Sequence, residues 1–233
     1  MKASHTSRVL ALLALLACGV PAISAHGPPG EAKGQERSEE DLGFFITSVG
    51  PGNGGDLGGI EGADAHCQSL AEAVGAGDRT WRAYLSTQAT GGRPAVNARD
   101  RIGSGPWHNA EGLLIASDVD DLHYNNANIR YEYALTEEGE TVNSGPMGDS
   151  PSTHDILTGS RLDGTAFPPD GDRTCGNWTR SDDGGRAQVG HHDRFSFDTP
   201  GSPWNSAHPT QGCSQESLEG TGGAGLFYCF AAE

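Results

Sequence analysis

The sequence is short of bases, of apolar residues and of long hydrophobic runs, and each shortage excludes something. Lys and Arg number 15 against 31 Asp and Glu, a formal net charge of −16, and a field of that sign repels a nucleic-acid backbone or an anionic membrane face. Hydrophobic residues make up only 35% of the 233 and the mean hydropathy is −0.49, so the apolar core is expected to be small and to need help from something besides burial. The longest apolar run, Val9 to Ala17, is too short to cross a bilayer. There is no Gly-x-Ser-x-Gly, His-Glu-x-x-His or phosphate loop. The 35 glycines follow no three-residue period, which excludes a collagen-like or repeat chain.

What is present begins with a leader. Lys2 and Arg8 ahead of the Val9–Ala17 run form the charged and apolar regions of an export signal over residues 1–25. Leu15-Leu16-Ala17-Cys18-Gly19 has the form of a bacterial lipobox, giving a lipoprotein signal of residues 1–17 with Cys18 lipidated. The competing cleavage follows Ala22 or Ala25 and removes Cys18. Either route predicts an exported protein, secreted or held in the cell envelope, on the outer membrane in a Gram-negative cell. Residues 26–41 (HGPPGEAKGQERSEED) carry Pro, Gly and charge with no apolar anchor and read as a flexible tether.

The remaining domain, 42–233, holds Cys67, Cys175, Cys213 and Cys229. An even number in an exported chain, none spaced Cys-x-x-Cys, reads as two disulfides, with three pairings open. Leu42–Val49 and Leu226–Ala231 read as core strands, and Trp81–Leu85 as a half-buried one. Ala63, Cys67, Leu70, Ala71 and Val74 recur at helical spacing, with Asp64 near the start. Arg130–Leu135 and Glu140–Asn143 around Glu138-Gly139 suggest a hairpin, and Gly145–Gly225 reads as a long, polar, turn-rich loop region.

The order of motifs then resembles a known family. Gly62-Ala63-Asp64 with Cys67, Ala73-Val74-Gly75, Trp81-Arg82-Ala83-Tyr84-Leu85-Ser86, Val96-Asn97-Ala98-Arg99-Asp100 with Pro106-Trp107, Leu157-Thr158-Gly159-Ser160 with Asp163-Gly164, Cys175 with Trp178, and Cys213 ahead of Leu226–Phe230 are similar to endostatin, the C-terminal domain of certain collagens. They run in order over about 170 residues. Exported bacterial proteins described only as lectin-like are similar through segments such as GHHDR, NSAHP and GLFYCFA. The resemblance implies an α+β domain of C-type lectin-like fold, with twisted antiparallel sheets, one main helix, long loops and two nested disulfides, Cys67–Cys229 and Cys175–Cys213. Three family activities do not carry over residue by residue. The Glu-Pro-Asn or Gln-Pro-Asp tripeptide of calcium-dependent sugar binding is missing, and Trp204-Asn205-Ser206 lacks the final carboxylate of Trp-Asn-Asp. The acid excess opposes heparin binding, and only His26 stands where endostatin's N-terminal zinc histidines would.

Chemistry concentrates in the loop-rich half. Gly190-His191-His192-Asp193-Arg194, His154-Asp155 and Asn205-Ser206-Ala207-His208 supply imidazoles and carboxylates suited to Zn²⁺, Asp193 or Asp155 serving as oxygen ligand or as orienter behind a histidine. Adjacent histidines on extended chain face opposite ways, so His191 and His192 do not readily share an ion. The plainer reading is that such groups pin loops by hydrogen bonds. Trp107, Trp178 and Trp204, each beside or near an Asn, suit sugar stacking; Trp178 reads as core and Trp204 as exposed. Asp118, Asp120 and Asp121, and Asp163, Asp170 and Asp172, read as solvated acids outside any EF-hand pattern.

These readings predict a non-catalytic, calcium-independent binding module for a carbohydrate or protein surface, with no cofactor expected and no nucleic-acid partner. Its candidate ligand residues are Trp204, Asn205, His208, His191, His192, Asp193 and Arg194. The membrane enters only through the lipid anchor. The alternatives are a zinc-dependent hydrolase using His154, His191, His192, His208 and Asp193, and a structural or assembly module of the cell envelope.

Overall fold

A computed structural model describes residues 42–125, 127–194 and 203–233. The expected export signal with Cys18, and the tether, lie outside the described residues. Among the described residues no helix is long and apolar enough to cross a membrane.

The architecture is α+β. In chain order the strands are β1 (Phe44–Ile46), β2 (Trp81–Ala83), β3 (Trp107–His108), β4 (Leu114–Ala116), β5 (Asp155–Leu157), β6 (Gln188–His191), β7 (His208–Pro209) and β8 (Gly223–Ala231). Helix α1 (Gly59–Ala73) lies between β1 and β2, and a shorter helix, Gln215–Glu219, precedes β8. β1 and β2 both pair antiparallel with the C-terminal half of β8, Phe45 and Ala83 each opposite Cys229. β5 runs parallel to the N-terminal half of β8, and β6 and β7 extend the sheet beyond β5. β3 and β4 form a separate antiparallel pair.

β8 is covered on both faces, which is why its sequence is an unbroken apolar run. Phe227, Cys229 and Ala231 face a cluster with α1, Trp81 and Trp178. Leu226, Tyr228 and Phe230 face the opposite cluster, with Phe44, Ile46, Tyr84, Trp107 and Trp204. Burying a large apolar side chain contributes about 1.5–3 kcal/mol, so two clusters built on one strand extract much from a sparse composition. Cys67–Cys229 bolts α1 to β8 and Cys175–Cys213 closes the other pair. The first spans 162 residues, a loop whose closure stabilises by about 4–5 kcal/mol in the chain-entropy treatment.

Helix α1 starts at Gly59, one turn before the apolar spacing indicates, so Asp64 falls inside it and is buried. Asp64 accepts hydrogen bonds from the Ala83 backbone at 2.9 Å, Arg82 at 3.0 Å and Arg101 at 2.7 and 3.1 Å. A second device is a left-handed turn at Cys175–Trp178, whose φ values are 47°, 64°, 59° and 66°. Each non-glycine residue so placed costs roughly 1–2 kcal/mol. The disulfide at Cys175, the Trp178 indole donating to Ser86 O at 2.8 Å, and the Asn177 amide bracketing the Gln88 backbone offset that strain.

Two sequence expectations are corrected. The hairpin around Glu138-Gly139 reduces to a turn closed by a single bridge, Leu135 with Thr141, because Tyr133 and Ala134 bond back to Arg130 O in a helical turn. The Gly145–Gly225 region contains β5, β6 and β7 of the main sheet rather than loop alone. These strands are two to four residues long and carry His, Asp and Gly, so no alternation betrayed them.

Candidate metal centre

Three imidazoles converge on one buried carboxyl where β5, β6 and β7 meet. Asp155 and His191 are directly opposed in the antiparallel β5–β6 register, and His208 faces Val189 in β6–β7, diagonal to His191. His154 immediately precedes β5 and turns its ring against His191, the two stacked at 4.4 Å and 11°. On the far side of Asp155 stands Gly223, where a Cβ would come within 3.2 Å of the Asp155 Cβ. Gly190 has no room for a side chain either: its Cβ would overlap the Trp204 carbonyl oxygen at 1.8 Å. That close approach lays the chain leading to β7 across β6 and brings His208 into reach.

Asp155 Oδ1 lies 3.1 Å from His191 Nε2, 3.4 Å from His154 Nε2 and 3.5 Å from His208 Nε2. His191 and His208 approach each other through Nε2 at 3.0 Å. Asp155 is 1% exposed, yet neither of its carboxyl oxygens has a hydrogen-bond partner. The ring nitrogens are close enough to bond to it but are not aimed along hydrogen-bond directions. Such an orphan is costly whether the carboxyl is ionised or protonated.

The far sides of the rings fix which nitrogens carry protons. His154 Nδ1 lies 3.0 and 3.2 Å from the two Asp193 oxygens, and Ser144 Oγ donates to Asp193 at 2.5 Å. Burial raises the Asp193 carboxyl, but the hydrogen bonds from His154 and Ser144 outweigh it and hold the group at about 2. Asp193 is therefore an acceptor only, and His154 Nδ1 carries the hydrogen. The same bond raises the pKa of His154 against its burial. His208 Nδ1 faces the Pro209 carbonyl at 3.2 Å, another pure acceptor. In the neutral rings the Nε2 lone pairs of His154 and His208 thus face the Asp155 oxygen, acceptor against acceptor. A cation placed among them removes the conflict.

A tetrahedral Zn²⁺ with bonds of about 2.0–2.1 Å to its ligands sets ligand–ligand edges of about 3.3–3.4 Å. Four of the six edges, His191 to His208 and Asp155 to each imidazole, are 3.0, 3.1, 3.4 and 3.5 Å and bracket that length. His154, Asp155 and His191 offer ligand atoms that all lie within 4.8 Å of one another, while His208 stands outside that group, near Asp155 and His191 only. The donor set of imidazole and carboxylate suits zinc among the divalent ions.

The other residues singled out from sequence are placed elsewhere. His192 points to the opposite face from His191, is fully buried, and stacks on Tyr131 at 6.5 Å. Neither of its nitrogens finds a well-directed hydrogen bond, although the Asn143 backbone is close enough to favour its protonated form. Burial pushes its pKa down to about 4, against the pull of Asp193. Asp193 sits behind His154, on the side away from the cluster, as an orienter rather than a ligand. Arg194 donates to the Ala127 and Ile129 carbonyls. Trp204, expected at the surface, is only 4% exposed; it packs on Tyr84 and Tyr228 and accepts the Tyr228 hydroxyl on its carbonyl. Asn205, 1% exposed, gives its amide hydrogens to Tyr84, Arg161 and Leu162. These two cannot present a stacking face and a free amide to a sugar. Among the acids, Asp118 and Asp121 cap local backbone, Asp120 pairs with Arg99, and Asp172 caps Thr174 and Gly176.

Ser144 was absent from the sequence candidates, since nothing near it in the chain marks it; only the fold sets it against Asp193. No protein-family model matches the chain, and no curated protein matches it.

Proposed function

We propose that the protein is an exported, non-catalytic zinc-binding domain of C-type lectin-like, endostatin-type fold. The orphaned Asp155 carboxyl ringed by three imidazole nitrogens carries the metal reading. His154, Asp155 and His191 supply three ligands, and His208, close to Asp155 and His191, would take the fourth position and close the site, the arrangement of structural zinc; hydrolytic zinc keeps that position for water. The nested disulfides are the pair the endostatin resemblance implies, and they fit the oxidising compartment to which the leader would deliver the chain. Residence at the cell surface, through lipid on Cys18 or by secretion, belongs to the same reading.

Untagged protein, dialysed against zinc and then against buffer, is expected to retain one zinc per chain by elemental analysis, and Asp155→Ala and His191→Ala to retain none. Stoichiometric zinc in both variants, or none in the wild type, overturns the proposal.

A carbohydrate role has separate support in a cleft of about 370 Å³ lined by His123, Tyr124 and Asp163 together with Arg194, Trp204 and Asn205 of the sequence candidates. Tyr124 is 60% exposed there, an aromatic face beside a carboxylate as sugar sites use. A glycan array on which Tyr124→Ala binds like the wild type would remove that reading.

A further inference from the structure

The zinc ligands and one disulfide clamp the same piece of chain. β6 and β7 are antiparallel, and His191 and His208, 17 residues apart, meet at one end of their ladder. At the other end Cys175 donates its backbone N–H to Arg186 O, Thr174 bridges Ala187, and Thr210 bonds Ala187 O shortly before Cys213. Cys175–Cys213 therefore encloses both His191 and His208 within its 38-residue span, while His154 and Asp155 lie outside it, before and at the start of β5. β7 is a two-residue edge strand paired only with β6. Side-chain bonds at Asn205 and Thr210 hold its flanks, and beyond them stand the disulfide at one end and the imidazole cluster at the other.

Resting on the metal reading above, we infer that zinc binding and the Cys175–Cys213 disulfide are thermodynamically coupled, each stabilising the other through the β6–β7 ladder. With the disulfide formed, His208 is held near His191 before the ion arrives, so less chain entropy is lost on coordination. With the ion bound, the ladder opens less often, and both cysteines are fully buried, between the ladder and the Gly54–Gly55 loop, so that a reductant reaches them only through local opening. Linkage makes the two effects equal in free energy. An exported chain built this way acquires its tight zinc site only after oxidation, so the metal is loaded outside the reducing cytoplasm.

The chemistry of the test is a two-electron reduction: the S–S bond and a water-soluble phosphine give two thiols and the phosphine oxide, water supplying the oxygen and both protons. Thiols released from each disulfide are followed by alkylation and peptide mass spectrometry, in the zinc-loaded and the chelator-treated wild type. The expected result is that zinc slows release from Cys175–Cys213 on the order of tenfold, with a smaller effect on Cys67–Cys229, which joins α1 to β8 outside the ladder. In His208→Ala at saturating zinc, bound by the three remaining ligands, the selective protection should vanish. Equal slowing of both disulfides, no slowing, or protection that survives in His208→Ala overturns the coupling while leaving zinc binding intact. Failure of the wild type to take up stoichiometric zinc overturns the metal reading itself, and the coupling with it.

Discussion

Asp64 and Asp155 are both buried carboxyl groups within reach of the central sheet, and they live in opposite circumstances. Asp64, on α1, is met by two arginines and the Ala83 amide. Asp155, on β5, is met by three imidazoles that do not aim a hydrogen at it. At the α1 end the buried carboxyl has all its partners, whereas at the β5–β7 end neither carboxyl oxygen is met by a well-aimed hydrogen. A buried acid whose partners are all present marks structure; one ringed by metal-ligating atoms and short of a proton or cation marks a place for something else.

The sharpest way to break the comparison is to remove each carboxyl. Asp64→Ala strands the largely buried Arg101 and the Ala83 amide, while the half-exposed Arg82 turns to water, and should cost about 3–5 kcal/mol in denaturant unfolding; a loss under 1 kcal/mol would put Asp64 on the same footing as Asp155. Next in size is the pH response of His192, read as the difference between wild type and His192→Leu in chelator. Its folded pKa of about 4 lies below the unfolded value of 6.5, so between those limits the unfolded chain takes up a proton that the folded one refuses. Stability should therefore fall as pH drops from 6.5 to 4, by about 3 kcal/mol, and the variant should lack that slope. Asp155→Asn should leave the chelated protein as stable as wild type or more so, since an amide N–H can donate to the waiting Nε2 atoms. It should also abolish the zinc-dependent gain, about 2.7 kcal/mol at a hundredfold excess over Kd. Destabilisation of the chelated variant would show that Asp155 is as fully partnered as Asp64. Smallest is Asp193→Asn, which frees His154 to reorient: zinc affinity by competition titration should weaken about 10- to 100-fold at unchanged stoichiometry, and unchanged affinity would leave Asp193 a purely local prop.

How much of this was readable in the chain follows from what each element is made of. β1 and β8 declare themselves because burial on both faces forces continuous apolar residues such as Phe44, Phe45 and Leu226 to Phe230. β5, β6 and β7 do not, because His154, Asp155, Gly190, His191 and His208 occupy positions that would otherwise carry the strand signal. His154, His191 and His208 were identifiable as a ligand class, and the opposed faces of His191 and His192 followed from extended geometry alone. What sequence could not supply is register: Asp155 stands opposite His191 through the β5–β6 pairing, and Asp193 falls behind the ring of His154 instead of beside Asp155 and His191. Trp204 reads as exposed because Pro203 and Asn205 look like surface neighbours, while the missing side chain of Gly190 is what admits the tryptophan's backbone to the interior.

The turn at Cys175–Trp178 has a consequence in terms of handedness. Four successive residues there wind in the sense that mirror-image amino acids prefer. In a chain assembled by chemical ligation, D-asparagine at position 177 would adopt the required φ of 59° without strain, whereas the same inversion within α1 would break the helix. Among the described residues this is one short stretch where the natural chirality of the chain's own building blocks works against the fold, tolerated because a disulfide and a buried indole hold it shut.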